Sequence, residues 1–216
     1  MREADLSLSY ELRAPSGAVA TDPMPLIFVL HGRGADARDL ADLTPMIGDG
    51  YRFILPNAPE PFEPAPGFQF GYTWFDGWPA EPSSIRKSRS LLMQFIDEIL
   101  ERYATPPGKV ILSGFSQGGL MSLDVGFRIR EKLAGIVVMS GALYENDPPP
   151  LSPGLPVLIV HGTQDDMIPA LAARRTRRVL ESHSIEPEYH EFPMGHFVTP
   201  ESIAVVADFI RRCLES

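Results

Sequence analysis

The sequence contains a single cysteine, Cys213, among its 216 residues. One thiol cannot form a disulfide within the chain, and it cannot supply a cysteine-based metal cluster. Cys213 falls among the apolar positions of the last predicted helix, where a cysteine behaves as a small apolar residue. The sequence therefore argues against a disulfide-stabilised secreted domain and against a redox role for this residue.

Long apolar runs and an excess of basic residues are also missing. No apolar stretch approaches membrane-spanning length, and residues 1–5 lack the basic start and apolar run of a secretory signal. The 19 basic residues are outnumbered by 28 acidic ones, which gives a net charge of −9. Binding to nucleic acid depends on neutralising phosphates, so this charge disfavours it. We expect a cytoplasmic protein with no nucleic-acid partner and no stable membrane insertion.

Patterns of buried strands and amphipathic helices alternate along the chain. Hydrophobic residues make up 44% of the sequence, enough for a sizeable core. Continuous apolar runs, typical of strands covered on both faces, lie at 25–30, 110–112, 133–139 and 157–160. Stretches with helical spacing separate them. This alternation predicts an α/β fold with a mostly parallel central sheet and helices on both faces, and residues 1–216 are expected to form a single domain.

Residues 57–82 differ in composition from the rest of the chain. They carry six prolines and seven aromatic residues, among them Trp74, Phe75 and Trp78. So many prolines exclude regular helix and central strand. Because the aromatic side chains need burial, we expect an excursion folded over one end of the sheet.

The segment Gly114-Phe115-Ser116-Gln117-Gly118 fits the G-x-S-x-G pattern of a nucleophile elbow, in which a serine occupies a sharp strand-to-helix turn. The glycines allow the turn to close around a strained serine backbone. A glycine-rich turn can carry a serine by chance. Here, however, a buried strand precedes the serine and a helix follows it, which favours the catalytic interpretation.

Polar residues follow three separate predicted strands at their carboxyl ends, namely Ser116, Asp165 with its neighbour Asp166, and His196. Their order matches the Ser…Asp…His order of α/β-hydrolase triads. A serine hydroxyl needs a histidine to take its proton, and the histidine needs a carboxylate to orient it. The other histidines are expected to serve structure or to lie away from the site: His31, His161, His183 and His190.

With these motifs, the sequence resembles the α/β-hydrolases of the phospholipase/carboxylesterase group, which includes acyl-protein thioesterases and small bacterial esterases. The resemblance spans nearly the whole chain. It rests on Leu30-His31-Gly32-Arg33-Gly34, Trp74-Phe75-Asp76, Gly114-Phe115-Ser116-Gln117-Gly118-Gly119, His161-Gly162-Thr163-Gln164-Asp165 through Ile168-Pro169, and Gly195-His196. It implies an α/β-hydrolase fold, without a large lid domain because no long insertion follows Met139. The family's acid position falls on Asp165, with Asp166 as the minority alternative.

Two backbone N–H groups are expected to form an oxyanion hole. The amide of Gln117 follows the nucleophile directly, and the resemblance implies the amide of Arg33 as the second. The Arg33 side chain either points to solvent or lies at the pocket mouth, where it would favour acidic or polar esters. The resemblance also implies that Trp74 and Phe75 line the substrate pocket, whereas Phe62 and Phe68 are expected to pack the excursion onto the sheet.

These observations together predict a serine carboxylesterase that hydrolyses short- to medium-chain carboxylic esters through an acyl-enzyme intermediate. Ser116 attacks, His196 transfers the proton and Asp165 orients His196. No metal or organic cofactor is implied, and the expected partner is a small-molecule ester. Acyl-protein thioesterase or lysophospholipase activity is the main alternative, and a non-catalytic binding module on the same fold is the other. The sequence leaves open whether the protein is a monomer or a homodimer.

Overall fold

The computed structural model describes residues 6–77 and 80–215. The expectations for residues 1–5 and for Trp78 lie outside this part of the chain. The strands are β1 (Tyr10–Arg13), β2 (Leu26–Leu30), β3 (Arg52–Pro56), β4 (Glu60–Pro61), β5 (Tyr72–Thr73), β6 (Val110–Phe115), β7 (Gly135–Met139), β8 (Val157–Gly162) and β9 (Glu188–Phe192). The α-helices are α1 (Thr44–Ile47), α2 (Pro82–Arg102), α3 (Gln117–Gly126), α4 (Ala170–Ser182) and α5 (Pro200–Glu215).

Seven of these strands form one sheet, in the order β1-β3-β2-β6-β7-β8-β9. Every neighbouring pair is parallel except β1 and β3, which run antiparallel at the edge. The central strands are buried along almost their whole length because both of their faces are covered. The prediction of a mostly parallel central sheet is confirmed. That the whole chain forms one domain stays a prediction.

Helices cover both faces of the sheet, as predicted. Neighbouring residues of one strand point to opposite faces, so Phe28 joins the apolar cluster under α2, α3 and α4, while Ile27 joins the cluster under α1 and α5. The connection between β7 and β8, residues 140–156, contains no helix, in agreement with the expected lack of a large lid. No helix in the described ranges is both long and apolar enough to cross a bilayer.

Two sequence patterns give shorter elements than their spacing suggests. The alternating residues from Leu6 onward form a strand only from Tyr10, because Ser7 instead hydrogen-bonds to Glu98 of α2. The helical spacing from 39 to 47 gives a 3₁₀ turn followed by the single turn α1. Pro45 has no N–H to continue a helix through this point.

The excursion at 57–82 contains the small β4–β5 hairpin and is tied to the loop after β2. The Gly34 amide donates to the Tyr72 carbonyl at 2.8 Å, and the Tyr72 amide donates to the Ala35 carbonyl at 2.8 Å. Its aromatic residues divide into two groups: Trp74 and Phe75 are fully buried, whereas Phe68 and Phe70 are each 60% exposed. The expectation that Phe68 packs onto the sheet is wrong, because it lies in the turn that links the two hairpin strands.

Candidate active site

Ser116 occupies the turn between β6 and α3 with a φ of 56° and a ψ of −117°. This positive φ is strained for a residue with a side chain. A Cβ atom at Gly114 would lie 2.3 Å from the Gly118 backbone, and one at Gly118 would lie 2.2 Å from the Leu30 carbonyl oxygen. Only glycine fits at either position, which explains why the two glycines of the elbow flank the serine.

The structure brings Ser116, His196 and Asp165 together in one hydrogen-bonded chain. The Ser116 hydroxyl lies 2.9 Å from Nε2 of His196, and Nδ1 of His196 lies 2.8 Å from Oδ2 of Asp165. A carboxylate only accepts hydrogen bonds, so Nδ1 carries the proton and Nε2 is left to accept from the serine hydroxyl. The Phe115 ring packs against the imidazole, with 4.8 Å between ring centroids. The arrangement suits proton transfer from the serine to the histidine.

The Asp165 carboxyl is buried and held by several donors. Its Oδ1 accepts the amides of Met167 at 3.0 Å and Ile168 at 2.8 Å, which leaves Oδ2 for His196. Burial by itself raises the pKa of Asp165. The hydrogen bonds from His196 and from the Ile168 amide outweigh that effect, so its pKa lies below its usual value. Asp166, the alternative acid, is exposed and makes none of these contacts.

His31 and His161 are buried and make hydrogen bonds to the backbone. Nδ1 of His31 lies 2.7 Å from the Gly32 carbonyl oxygen, while its Nε2 accepts the Ala58 amide at 3.0 Å. Burial lowers the pKa of His31 to about 4, so its ring is neutral. Nε2 of His161 lies 2.7 Å from the carbonyl oxygen of Ile168, within the loop that supplies amides to Asp165. Both histidines hold loops next to the site.

Arg33 and Gln117, whose backbone amides are expected to form the oxyanion hole, border the same cleft as Ser116. Gln117 is the first residue of α3, so its N–H has no acceptor within the helix and carries part of the helix dipole. Neither amide donates to another protein group within the described ranges. Unengaged N–H groups beside a nucleophile are suited to a developing oxyanion.

The Gln117 side chain has a role that its motif did not reveal. Its Oε1 accepts from the Thr73 hydroxyl at 3.1 Å and from the Trp74 amide at 3.0 Å, and its Nε2 donates to the Phe75 carbonyl at 2.9 Å. The residue after Ser116 therefore fixes the excursion against α3. The sequence shows a glutamine directly after the serine but not its burial, so it did not indicate this clamp.

We expect Gln117→Ala to lower the free energy of unfolding by about 1–3 kcal/mol, because it leaves the buried Trp74 amide without a partner, while the Phe75 carbonyl keeps its hydrogen bond from the Thr73 hydroxyl. Urea denaturation measures this loss. Gln94→Ala is the matched control: Gln94 is exposed on α2, and its replacement should change stability by less than about 0.5 kcal/mol. Equal stability of the two variants would contradict the clamp.

Two clefts meet at Ser116, and Arg33 and Met167 line both. The larger, which we term the open cleft, has a volume of about 820 Å³. Its lining comprises Gly32, Arg33, Gly34, Ala35, Asp36, Arg38, Asp39, Phe62, Phe70, Gly71, Phe115, Ser116, Met167 and His196. The smaller, termed the inner cleft, has a volume of about 230 Å³ and is lined by Arg33, Phe75, Gly77, Ser116, Gln117, Leu120, Ala142, Met167 and Ile168.

The two aromatic residues expected to line the pocket lie in different places. Phe75 borders the inner cleft. The structure does not bring the Trp74 side chain to either cleft: it is fully buried in the core, and its Nε1 donates to the His31 carbonyl at 2.9 Å. The indole N–H needs a buried acceptor, and this bond directs the ring under the loop that carries Arg33.

The Arg33 side chain lies at the pocket mouth. Its guanidinium carbon is 4.7 Å from the centroid of the Phe62 ring, which also borders the open cleft. Sequence reasoning did not assign Phe62, Phe70 or Met167 to the site. Apolar residues in irregular segments carry no periodic signal that would place them there.

The described ranges contain no cluster of three or more histidine, cysteine or acidic side chains suited to a metal ion. Cys213 is half-buried, and burial raises the pKa of its thiol to about 11. Little thiolate exists at neutral pH under those conditions.

A parallel α/β sheet with a strained serine at its carboxyl edge defines an α/β-hydrolase, and the protein is an enzyme of the serine-hydrolase class. The chain belongs to the phospholipase/carboxylesterase family, which it matches over residues 18–214. Esterases and thioesterases make up this family. The resemblance drawn from the sequence motifs is confirmed.

Both thioesterases and esterases are found among the known proteins that are similar to this chain. Acyl-protein thioesterase 1 of Mycosarcoma maydis is 27% identical over 222 residues, which cover 89% of this chain and 92% of the relative. The crystal structure of esterase PE8 is 28% identical with a TM-score of 0.81, covering 96% of this chain and 99% of that one. The Bacillus cereus carboxylesterase shares the fold, with a TM-score of 0.81 at 16% identity and coverage of 98% and 97%.

Proposed function

We propose that this protein is a serine carboxylesterase that hydrolyses short- to medium-chain carboxylic esters through an acyl-enzyme. The observation that carries the proposal is the hydrogen-bonded chain from Ser116 through His196 to Asp165. A non-catalytic binding module on the same fold has no need for a strained serine joined to a histidine and a buried carboxylate.

Each residue has a distinct role in the proposed reaction. Nε2 of His196 takes the proton as the Ser116 oxygen attacks the ester carbonyl, and Asp165 stabilises the resulting imidazolium. The amides of Arg33 and Gln117 donate to the oxyanion. His196 then protonates the leaving alcohol, and water releases the acid from Ser116 in a second round of the same chemistry.

The position of His196 suggests which cleft takes which part of the ester. Because His196 protonates the leaving group, the alcohol must lie beside it, and His196 borders the open cleft. The inner cleft borders Ser116 and Gln117 and has mainly apolar walls. It suits the acyl chain. Its volume of about 230 Å³ corresponds to about eight groups the size of a water molecule, at about 30 Å³ each.

Hydrolysis of thioesters or lysophospholipids is the second candidate. The thioesterase relatives support it, and so does the size of the open cleft, about 820 Å³, which admits a large leaving group. The same residues would attack a thioester carbonyl. We also propose one domain over residues 1–216 and a cytoplasmic location, supported by the continuous sheet and by the single half-buried cysteine.

The first test is labelling of the purified protein by a fluorophosphonate, together with rates on p-nitrophenyl esters of increasing acyl length. Oxygen esters and thioesters with the same acyl group are compared at each length. Labelling together with ester turnover supports the carboxylesterase, and a strong preference for the thioester series supports the second candidate. A folded protein that neither reacts with the label nor hydrolyses either series would contradict both.

Arg33→Ala is expected to lower kcat/KM for a negatively charged ester, such as a succinate half-ester, by up to about fivefold relative to a neutral ester of the same size. The guanidinium at the mouth attracts the anion with the strength of an exposed ion pair, and the backbone amide is kept. Arg33→Lys retains the charge and serves as the matched control. Unchanged selectivity in Arg33→Ala would rule out a role for this charge.

A further inference from the structure

The inner cleft shares one wall with a further cavity. Leu120 and Ala142 border the inner cleft on one side and, on the other, a surface cavity of about 540 Å³ that we term the outer groove. Leu120 follows Ser116 by one helical turn, and its amide donates to the Ser116 carbonyl at 3.1 Å. The outer groove is lined by Ala80, Leu120, Ala142, Leu143, Tyr144, Glu145, Asn146, Pro169, Leu171, Ala172, Arg175 and Thr176.

Aliphatic and charged residues both contribute to the lining of the outer groove. Aliphatic side chains come from α3, the start of α4 and the loop after β7, and Leu120 and Ala142 among them also border the inner cleft. Leu171 on the first turn of α4 leaves 65% of its surface exposed. The exposed Arg175 guanidinium pairs with the exposed Glu145 carboxylate at 2.6 Å. An apolar floor with a charged rim suits a hydrocarbon chain better than a polar ligand.

We propose that the outer groove is a second acyl subsite, occupied by the distal end of acyl chains too long for the inner cleft. In this proposal the chain passes between Leu120 and Ala142, which border both cavities and which we term the neck, and the small Ala142 side chain takes up little of that space. This inference rests on the proposed function, because it takes the acyl group to be attached to Ser116 and to lie in the inner cleft. It makes Ala142 a specificity-determining residue.

Two substitutions test the neck and the groove separately. Ala142→Leu fills the neck and should lower kcat/KM for p-nitrophenyl decanoate relative to the butyrate by about tenfold or more, since each methylene kept out of an apolar site costs about fourfold. Leu171→Asp places a charge in the groove and should lower the same ratio by about fourfold or more. Turnover of the butyrate should stay within about twofold of wild type in Leu171→Asp, because Leu171 does not border the inner cleft and a short chain ends before the neck.

Controls separate this inference from a folding defect and from failure of the proposed function. Leu171 is exposed near the N-terminus of α4, where an acidic residue is favourable, so Leu171→Asp is expected to fold normally. Val19→Asp introduces the same charge at a position that is 56% exposed and away from both clefts, and it should leave the ratio unchanged. An unchanged decanoate ratio in both test variants, with normal butyrate turnover in Leu171→Asp, would overturn the second subsite and leave the esterase intact. Wild type that hydrolyses the butyrate but not the decanoate would overturn it as well. If the wild-type protein is neither labelled nor able to hydrolyse esters, that result would instead contradict the proposed function.

Discussion

Ser116→Ala is expected to lower kcat for a p-nitrophenyl ester by about 10⁴- to 10⁶-fold and to abolish fluorophosphonate labelling. The substitution removes the only atom that can form the acyl-enzyme, while the two oxyanion amides and both clefts remain. KM should change little, since the hydroxyl contributes to the transition state rather than to ground-state binding. Steady-state kinetics and gel fluorescence of the labelled protein measure the two effects.

Ser140→Ala is the matched control for this experiment. Ser140 also has a positive φ, 48°, and it lies at the carboxyl end of β7, next to the nucleophile strand. Its buried hydroxyl has no hydrogen-bond partner in the part of the chain that the structure describes. Loss of activity in Ser140→Ala but not in Ser116→Ala would contradict the assignment of Ser116 as the nucleophile. Loss of activity in Ser116→Ala with normal activity in Ser140→Ala would support it.

Asp165→Asn is expected to lower kcat by about 10⁴-fold with little change in structure. The amide group of asparagine can donate to Nδ1 of His196, which moves the imidazole proton to Nε2. A protonated Nε2 cannot accept the serine proton, so the base is present but in the wrong tautomer. Rates at saturating ester and a thermal unfolding curve distinguish this effect from a loss of fold.

The pH dependence of kcat/KM gives an independent test of the roles of Asp165 and His196. The lowered pKa of Asp165 keeps its carboxylate charged well into the acid range. Protonation of Asp165 should therefore add no step to the fall of wild-type activity as pH decreases, because this carboxylate stays charged over the acid side of the profile. Asp166→Asn, a change at the exposed neighbour, should leave both rate and profile unchanged. Two proton uptakes on the acid side, or a large loss in Asp166→Asn, would contradict the assignment of Asp165.

Much of the sheet and of the proposed triad could be predicted because their signals are local. The glycines around Ser116 are required by backbone contacts shorter than any side chain permits, so the motif itself records the geometry. Strands buried on both faces appear as unbroken apolar runs. Since parallel strands end at the same edge of the sheet, residues that follow β6, β8 and β9 had to lie close together.

The clefts could not be predicted because their walls depend on contacts between distant segments. Trp74 lies in the core rather than in the pocket because it bonds to His31 and Gln117, each 43 residues away in sequence. Phe68 and Phe70 lie exposed on the hairpin. Composition alone gives Trp74 and Phe68 the same description, as aromatic residues in a proline-rich stretch. The neck between the inner cleft and the outer groove likewise joins a helix to a loop, and neither shows a motif.

The order of Ser116, Asp165 and His196 in the sequence also has a consequence for the newly made polypeptide. His196 follows Ser116 by 80 residues, and synthesis at about 5–20 residues per second therefore separates the two by about 4–16 s. In the proposed mechanism the elbow lacks its base during that interval, so the serine of a growing chain is not yet activated. On this proposal, hydrolysis begins only when the β8 and β9 segments have emerged and joined the sheet. A chain halted before residue 196 would fail to react with a fluorophosphonate, and labelling thus reports completed synthesis as well as folding.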